Sequence, residues 1–410
     1  MHPRAAPGTT LKGNRVPHTE RHWMLLALAL SLGAAVSLGI TRFSYGLLLP
    51  AMRSDLNWSY ALSGAMNTAN ALGYFLGALA TPWMMRRWGP SALLWVGALF
   101  ASAFMVLSGF FVQTEPLLLQ RLLAGIASAA VFVAGGLLAA RLGAQDPPRS
   151  ALLLGLYYGG TGLGIVLSSG VVWWVLELTA RQAHGWRWVW WCLGLLCLLA
   201  SLVLRWPARA MASLPAAAAS GGLARAERFR WRQFGFGLSA YALFGVGYIG
   251  YMTFVVALLR TQGRTALEAA CFYALLGVAV MVSGRLWAGL LDRHRDGRPL
   301  AVLNGLLGVA TILPAWTPSW PLVLLSGALF GAVFLSVVAS TTALVRHNLA
   351  QSAWASGIGA FTAVFALGQI LGPTVVGWIA DGAGGLERGL WCSALALWAG
   401  ALLATRQRSL

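Results

Sequence analysis

Long apolar runs separated by short polar breaks recur along the whole chain. They fall at about 23–50, 61–85, 91–112, 116–140, 151–176 and 188–204, then at 234–259, 268–291, 299–316, 320–345, 353–380 and 387–404. Since ~20 residues of helix cross a hydrocarbon core, each run is long enough to span or nearly span a bilayer. A membrane β-barrel would instead show segments of ~10 residues with alternating polarity. The pattern therefore predicts an all-α membrane protein of twelve transmembrane helices.

The polar breaks are short except for one. Residues 205–233 combine an alanine and glycine run with clustered arginines, the composition of a flexible basic linker. That divides the chain into a basic tail (1–21), a first six-helix half (22–204), the linker (205–233) and a second six-helix half (234–405). The halves repeat one another. Gly39, Arg42 and Tyr45 fall opposite Gly245, Tyr248 and Tyr251, and Gly125 opposite Gly331, at an offset of 206 residues; Gly164 falls opposite Gly368 at 204. Parallel six-helix repeats are one known plan of secondary transporters, with the substrate held between the halves near the midplane.

Charge adds an orientation. The net charge is +18, yet the arginines sit in short loops between apolar runs, so no soluble basic face exists for nucleic acid. If the N-terminus is cytoplasmic, twenty of the 29 Lys and Arg residues lie on that side and six on the other. The positive-inside rule then puts both termini in the cytoplasm of an inner (plasma) membrane. The three remaining arginines, Arg42, Arg121 and Arg285, fall within spans.

Arg42 is the deepest of these, about two-thirds along the first span. A guanidinium there costs at least ~2.5–3.5 kcal/mol to insert and ordinarily marks a pathway or a partner. None of the eleven acids and none of the six histidines falls in the middle of a span. Arg42 and Arg121 thus have no intramembrane counter-ion, and solvent, backbone carbonyls or a bound anion must stabilise them. Arg42 is read as a substrate contact, with a structural clamp as the alternative. For Arg121, cavity residue and helix–helix tie stay equally open. Arg285 lies near a helix end, where it can snorkel.

Polar and aromatic side chains recur at helical spacing beside these cations. Asn67, Asn70 and Tyr74 share one face of the second span; Tyr241, Phe244, Tyr248 and Tyr251 stripe the seventh; Gln369 sits mid-span in the eleventh. Arg42, Tyr45, Asn67, Asn70, Arg121, Tyr248, Tyr251 and Gln369 are the expected substrate-site residues. Packing and helix–helix hydrogen bonding are the plainer uses of the same side chains.

Enzyme chemistry has no carrier. The single lysine, Lys12, lies outside any Gly-rich loop, so there is no P-loop. No histidine lies mid-span to activate a nucleophile, and Cys192, Cys197, Cys271 and Cys392 lack metal-ligand spacing. No catalytic residue, cofactor or metal is expected. The expected partners are a small-molecule substrate, anionic in the leading reading, and the lipid bilayer, with no nucleic acid; the sequence leaves the oligomeric state open, a monomer being favoured.

Several motifs resemble the major facilitator superfamily over residues 22–405. Arg121 followed by Gly125 and small residues is similar to its fourth-helix motif, and Gly155 through Gly159 to Gly164 resembles its Gly-rich fifth-helix motif. Gly77 through Arg86, Arg87 and Gly89 resembles the loop between its second and third helices, but Arg86 stands where that loop carries an aspartate. The second copy, Gly289 to Asp292 and Arg293, keeps its acid. Gly77, Arg86, Gly89, Gly159, Gly164, Asp292 and Arg293 are thus the expected conformational-motif residues. Gly39-Ile-Thr-Arg42-Phe-Ser-Tyr45, Asn70-Ala-Leu-Gly73-Tyr74 and Val131-Phe-Val-Ala-Gly-Gly136 further resemble the YbfB/YjiJ-type group. The resemblance implies a major facilitator fold and secondary transport by alternating access. The leading substrate class is a small organic anion. The alternative is an exporter of neutral or hydrophobic compounds, with Arg42 structural. A receptor or scaffold, more remote, would call for long soluble loops.

Overall fold

The computed structural model describes residues 20–212 and 230–410. The expected tail (1–21) and linker (205–233) lie largely outside these. Twelve long helices fill the described residues: α1 (Arg21–Leu56), α2 (Tyr60–Trp88), α3 (Pro90–Ser108), α4 (Thr114–Gln145), α5 (Ser150–Leu178), α6 (Trp186–Ala212), α7 (Gly235–Thr261), α8 (Ala266–Leu286), α9 (Arg298–Trp316), α10 (Trp320–Asn348), α11 (Trp354–Ala380) and α12 (Gly385–Thr405). There is no strand among the described residues.

Eleven of these helices are apolar and long enough to cross a bilayer. The exception is α2, which carries Ser63, Asn67, Thr68, Asn70 and Thr81 along its length. Its polar residues face protein: Ser63, Asn67, Asn70 and Thr81 are all buried. Helix α6 runs on through Arg205, where the linker was expected to begin, to Ala212. Leu204, Ala208 and Met211 pack inward and hold these extra turns.

Local sequence sets the helix ends. The Ser59 hydroxyl accepts from the backbone N–H of Leu62 and caps α2. Thr265 and Glu268 form a reciprocal capping box at α8. Between α2 and α3, Gly89 takes φ +79°, which only glycine adopts freely, and Pro90 opens α3.

Helix α1 departs from regular geometry. Residues Ala35–Phe43 form a π-helical stretch, entirely buried, that ends at Arg42 and Phe43. Wider helical turns of this kind redirect carbonyls and side chains and recur at functional sites. The stretch crosses α5 at near backbone contact. A Cβ on Gly164 would lie 2.5 Å from the Ala35 carbonyl oxygen and 2.8 Å from Gly39 Cα. The second half repeats the crossing: a Cβ on Gly368 would lie 3.1 Å from Gly245 Cα. The glycines that carry the sequence repeat are thus the glycines at which equivalent helices meet. We expect Gly164→Val to cost about 1–3 kcal/mol through overpacking. Gly155→Ala, where a Cβ meets nothing within 4 Å, should be neutral. Melting temperatures in detergent check this, and equal tolerance would contradict the packing account.

The two halves meet along α2 and α11, α5 and α8, and α1 and α7. At the end of the bundle away from the termini, the Asp381 carboxylate accepts from the backbone N–H of Tyr60 at 2.7 Å and of Ala61 at 2.9 Å. About two turns deeper along α2, the Thr68 hydroxyl donates to the Ile370 carbonyl at 2.7 Å. At mid-depth the Tyr273 hydroxyl donates to the Phe43 carbonyl at 2.9 Å.

Candidate functional site

Arg42 and Arg121 both lie buried at the centre, but in different surroundings. Arg42, 4% exposed, sits at the interface between the halves. Its Nη2 donates to Gln369 Oε1 of α11, and that oxygen also accepts from the Tyr248 hydroxyl of α7 at 2.8 Å. Its guanidinium lies over the Tyr74 ring, 5.4 Å from the centroid. Among the described residues Arg42 has no carboxylate partner and only this one hydrogen bond, to a neutral amide. A guanidinium has five N–H donors.

Arg121, on α4, is tied inside the first half. Nη1 donates to the Thr41 carbonyl at 2.7 Å, at the end of the π-helical stretch, and Nη2 to Asn67 Oδ1 at 3.0 Å. Its guanidinium lies over the Tyr45 ring at 5.1 Å and near Trp190 at 5.8 Å. Asn67 in turn donates from Nδ2 to Thr253 Oγ1 of α7 at 2.8 Å. A chain of polar contacts therefore runs from α1 through Arg121 and Asn67 into the second half.

Of the eight expected site residues, Arg42, Tyr248 and Gln369 meet in one cluster. Arg121, Asn67, Tyr45 and Asn70 form a second. There the Asn70 amide donates to the Arg121 carbonyl at 3.1 Å, and the Tyr45 hydroxyl donates to the Ser63 carbonyl at 2.8 Å. Tyr251 joins neither: its hydroxyl pairs with Ser326 at 2.6 Å, and its ring stacks on Phe330 at 4.1 Å.

The second half builds an aromatic wall around Tyr248, the ring that shares the Gln369 oxygen with Arg42. Phe365 stacks on Phe244 at 5.3 Å and 9° between ring planes, and Tyr248 lies nearly parallel to Phe334 at 6.1 Å and 7°. Tyr241 stacks on Phe365 at 4.8 Å. The site is thus asymmetric: the first half supplies the cation and the rings over it, Tyr74 and Phe43, and the second half supplies Gln369 and the stack around Tyr248. Phe334, Phe365 and the Thr41 carbonyl were not anticipated. Phe365 could have been found, since it lies one helical turn before Gln369 and so on the same face.

The conformational-motif residues divide. Gly77 and Gly164 lie at tight helix crossings and Gly89 turns the α2–α3 connection, whereas a Cβ on Gly159 would come no closer than 3.6 Å to the Met281 carbonyl oxygen. Arg86, Asp292 and Arg293 are exposed and make no ion pair among the described residues. Arg285 is exposed near the end of α8, as a boundary residue should be. No cluster of His, Cys, Asp and Glu suited to a metal occurs among the described residues.

A family model described as "Uncharacterised MFS-type transporter YbfB" matches residues 34–405. No curated protein matches the chain. Among solved structures, the fold is similar to a bacterial homolog of the human lysosomal transporter Spinster in an inward-facing, unoccupied conformation. The TM-score is 0.72 at 17% identity, over 95% of this chain and 99% of that one. It is also similar to the nucleoside transporter NupG, with a TM-score of 0.67 at 14% identity, over 93% of this chain and 97% of that one.

Proposed function

The chain belongs to the MFS-type transporter family described by YbfB, and from that membership and the central site we propose a transporter of a small organic anion. The family is one of transporters, not enzymes. The anion would be held between the halves by Arg42, with its apolar or aromatic body against Phe365, Tyr248 and Tyr74. One observation carries this reading: Arg42 is a buried cation whose only hydrogen bond among the described residues goes to neutral Gln369. Its free donors suit a carboxylate or phosphate, which a planar guanidinium grips at two points. Arg121, with Nη1 and Nη2 engaged, would position α1 and Asn67 around that ligand.

Transport would proceed by rocking of the halves. The contacts at Asp381 and Thr68 close the end away from the termini, and the bound state would exchange them for contacts at the other end. The coupling ion has no mid-span acid or histidine to ride on. The aromatic wall favours a second reading, export of neutral lipophiles.

A thermal-shift panel on purified protein separates the two, because a ligand that binds only the folded state raises the melting temperature. Organic anions should raise it in a saturable way, and matched neutral and cationic analogues should not. A response confined to neutral lipophiles would overturn the anion reading.

Both termini are proposed to face the cytoplasm of the inner (plasma) membrane, from the arginine asymmetry. Reporter fusions after Arg149 and at the C-terminus should be active only in the cytoplasm, and a fusion at Arg181 only outside. A C-terminal reporter active outside would reverse the orientation.

A further inference from the structure

A cavity of about 580 Å³ lies away from the central site, at the end of the bundle opposite the termini. Its walls come from both halves: α1, α5 and the α5–α6 loop on one side, α7 and α8 on the other. Two guanidiniums line it, Arg53 in the last turn of α1 and Arg260 in the last turn of α7. Neither has a carboxylate within ion-pair distance among the described residues. The Arg53 guanidinium lies over the Tyr60 ring, 3.7 Å from the centroid, and its Nε is buried without a hydrogen-bond partner among the described residues. Arg260 gives one N–H to the Arg264 carbonyl at 2.6 Å.

Two carboxylates share the cavity, Asp55 and Glu177, and neither forms an ion pair with Arg53 or Arg260 among the described residues. Asp55 is engaged by His184 and by the Trp186 indole N–H. Glu177 lines the wall and makes no ion pair among the described residues. The volume is that of an ordinary small-molecule site. Tyr60 joins this cavity to the contact that holds this end shut, since its ring carries Arg53 and its backbone N–H donates to Asp381.

We propose that this cavity is a second anion site, for a small carboxylate, sulfate or phosphate, which bridges Arg53 and Arg260 and keeps this end of the transporter closed. An oxyanion between two guanidiniums on opposite halves ties those halves together. Opening that end separates α1 from α7 and gives up one of the two contacts. The occupant is either the transported anion in transit or a separate anion. Both share the chemistry of an oxyanion gripped by arginine. The site does not depend on the central reading at Arg42.

Sulfate is the probe. It is titrated into purified full-length protein at constant ionic strength while the melting temperature is followed. Wild type should show a saturable rise. Arg53→Gln and Arg260→Gln should each raise the half-saturating concentration at least tenfold, while Arg42→Ala leaves it unchanged. Each variant's melting temperature without sulfate shows that it is folded, and either arginine suffices if the other variant fails to fold. No saturable response in wild type, or an unaltered response in both variants, overturns the site. A response lost in Arg42→Ala moves the anion to the centre and overturns it equally. With spin labels at Ala183→Cys and Leu267→Cys, and the native cysteines replaced by alanine, sulfate should shift the distance distribution toward its short component. A shift to longer distances, or none, overturns the closing role. An organic anion that stabilises through Arg42 and also displaces sulfate supports a station on the transport path; one that does not supports a separate anion.

Discussion

Arg121→Met should lower the stability of the protein by about 2–4 kcal/mol, with ligand binding falling only as far as folding does. Methionine fills much of the volume but donates nothing. The Thr41 carbonyl and Asn67 Oδ1 then lose their donors inside the bundle. Each buried acceptor left unsatisfied costs about 1–3 kcal/mol, partly offset because a desolvated charge is removed as well. Arg121→Lys should fall between, since an ammonium keeps the charge but cannot span both acceptors with a planar fork. The measurement is the melting temperature and monodisperse yield of the three proteins in one detergent. Arg121→Met that melts like wild type but no longer binds the anion would make Arg121 a ligand residue instead of a tie.

Asp381→Ala opens the end of the transporter away from the termini. The carboxylate holds two backbone N–H groups in the first turn of α2, at 2.7 and 2.9 Å, where the helix dipole also favours a negative charge. Hydrogen bonds to a charged group are worth about 1.5–3 kcal/mol when buried, and this exposed pair is discounted for solvent to about 1–2 kcal/mol in total. Every 1.4 kcal/mol is tenfold, so the balance between closed and open should move roughly five- to thirtyfold. Asp381→Asn keeps one acceptor without the charge and should have the smaller effect. The readout is the labelling rate of a thiol at Thr374→Cys, which lies under α2 while that end is closed. Labelling should quicken in Asp381→Ala. Unchanged or slower labelling would remove Asp381 from the gate.

Much of this architecture was legible in the amino-acid sequence, because bilayer thickness fixes span length and a duplicated half repeats its close helix crossings. Gly39, Gly164, Gly245 and Gly368 announced themselves by their offset before their contacts were known. Arg42 was legible for a related reason: a charge deep in an apolar run needs an explanation wherever it occurs. The partition of the polar residues was not legible. Periodicity puts Tyr45 and Tyr251 at equivalent repeat positions, yet Tyr45 bonds the Ser63 carbonyl and Tyr251 the Ser326 hydroxyl, because α2 and α10 offer different acceptors. The π-helical turn at Ala35–Phe43 also lay hidden, since no residue type demands it. It nonetheless ends beside the Thr41 carbonyl that Arg121 uses and the Phe43 carbonyl that Tyr273 uses. Asp381 was an acid outside the spans, and only the approach of α11 to α2 gives it a role.

Affinity and stability measured on the same purified Arg42→Ala protein decide whether Arg42 holds the substrate's anionic group. Arg42 gives up one hydrogen bond to Gln369, and Gln369 keeps the Tyr248 hydroxyl, so removing the guanidinium leaves no strongly unsatisfied partner. Insertion of an uncharged first span also costs less. Arg42→Ala should melt near the wild-type temperature and bind the organic anion at least a hundredfold more weakly. Arg42→Lys should lie between, with the charge present but the two-point grip lost. Anion affinity unchanged in well-folded Arg42→Ala would rule Arg42 out as the anion's partner and leave the aromatic wall, and with it a neutral lipophile, as the basis for recognition.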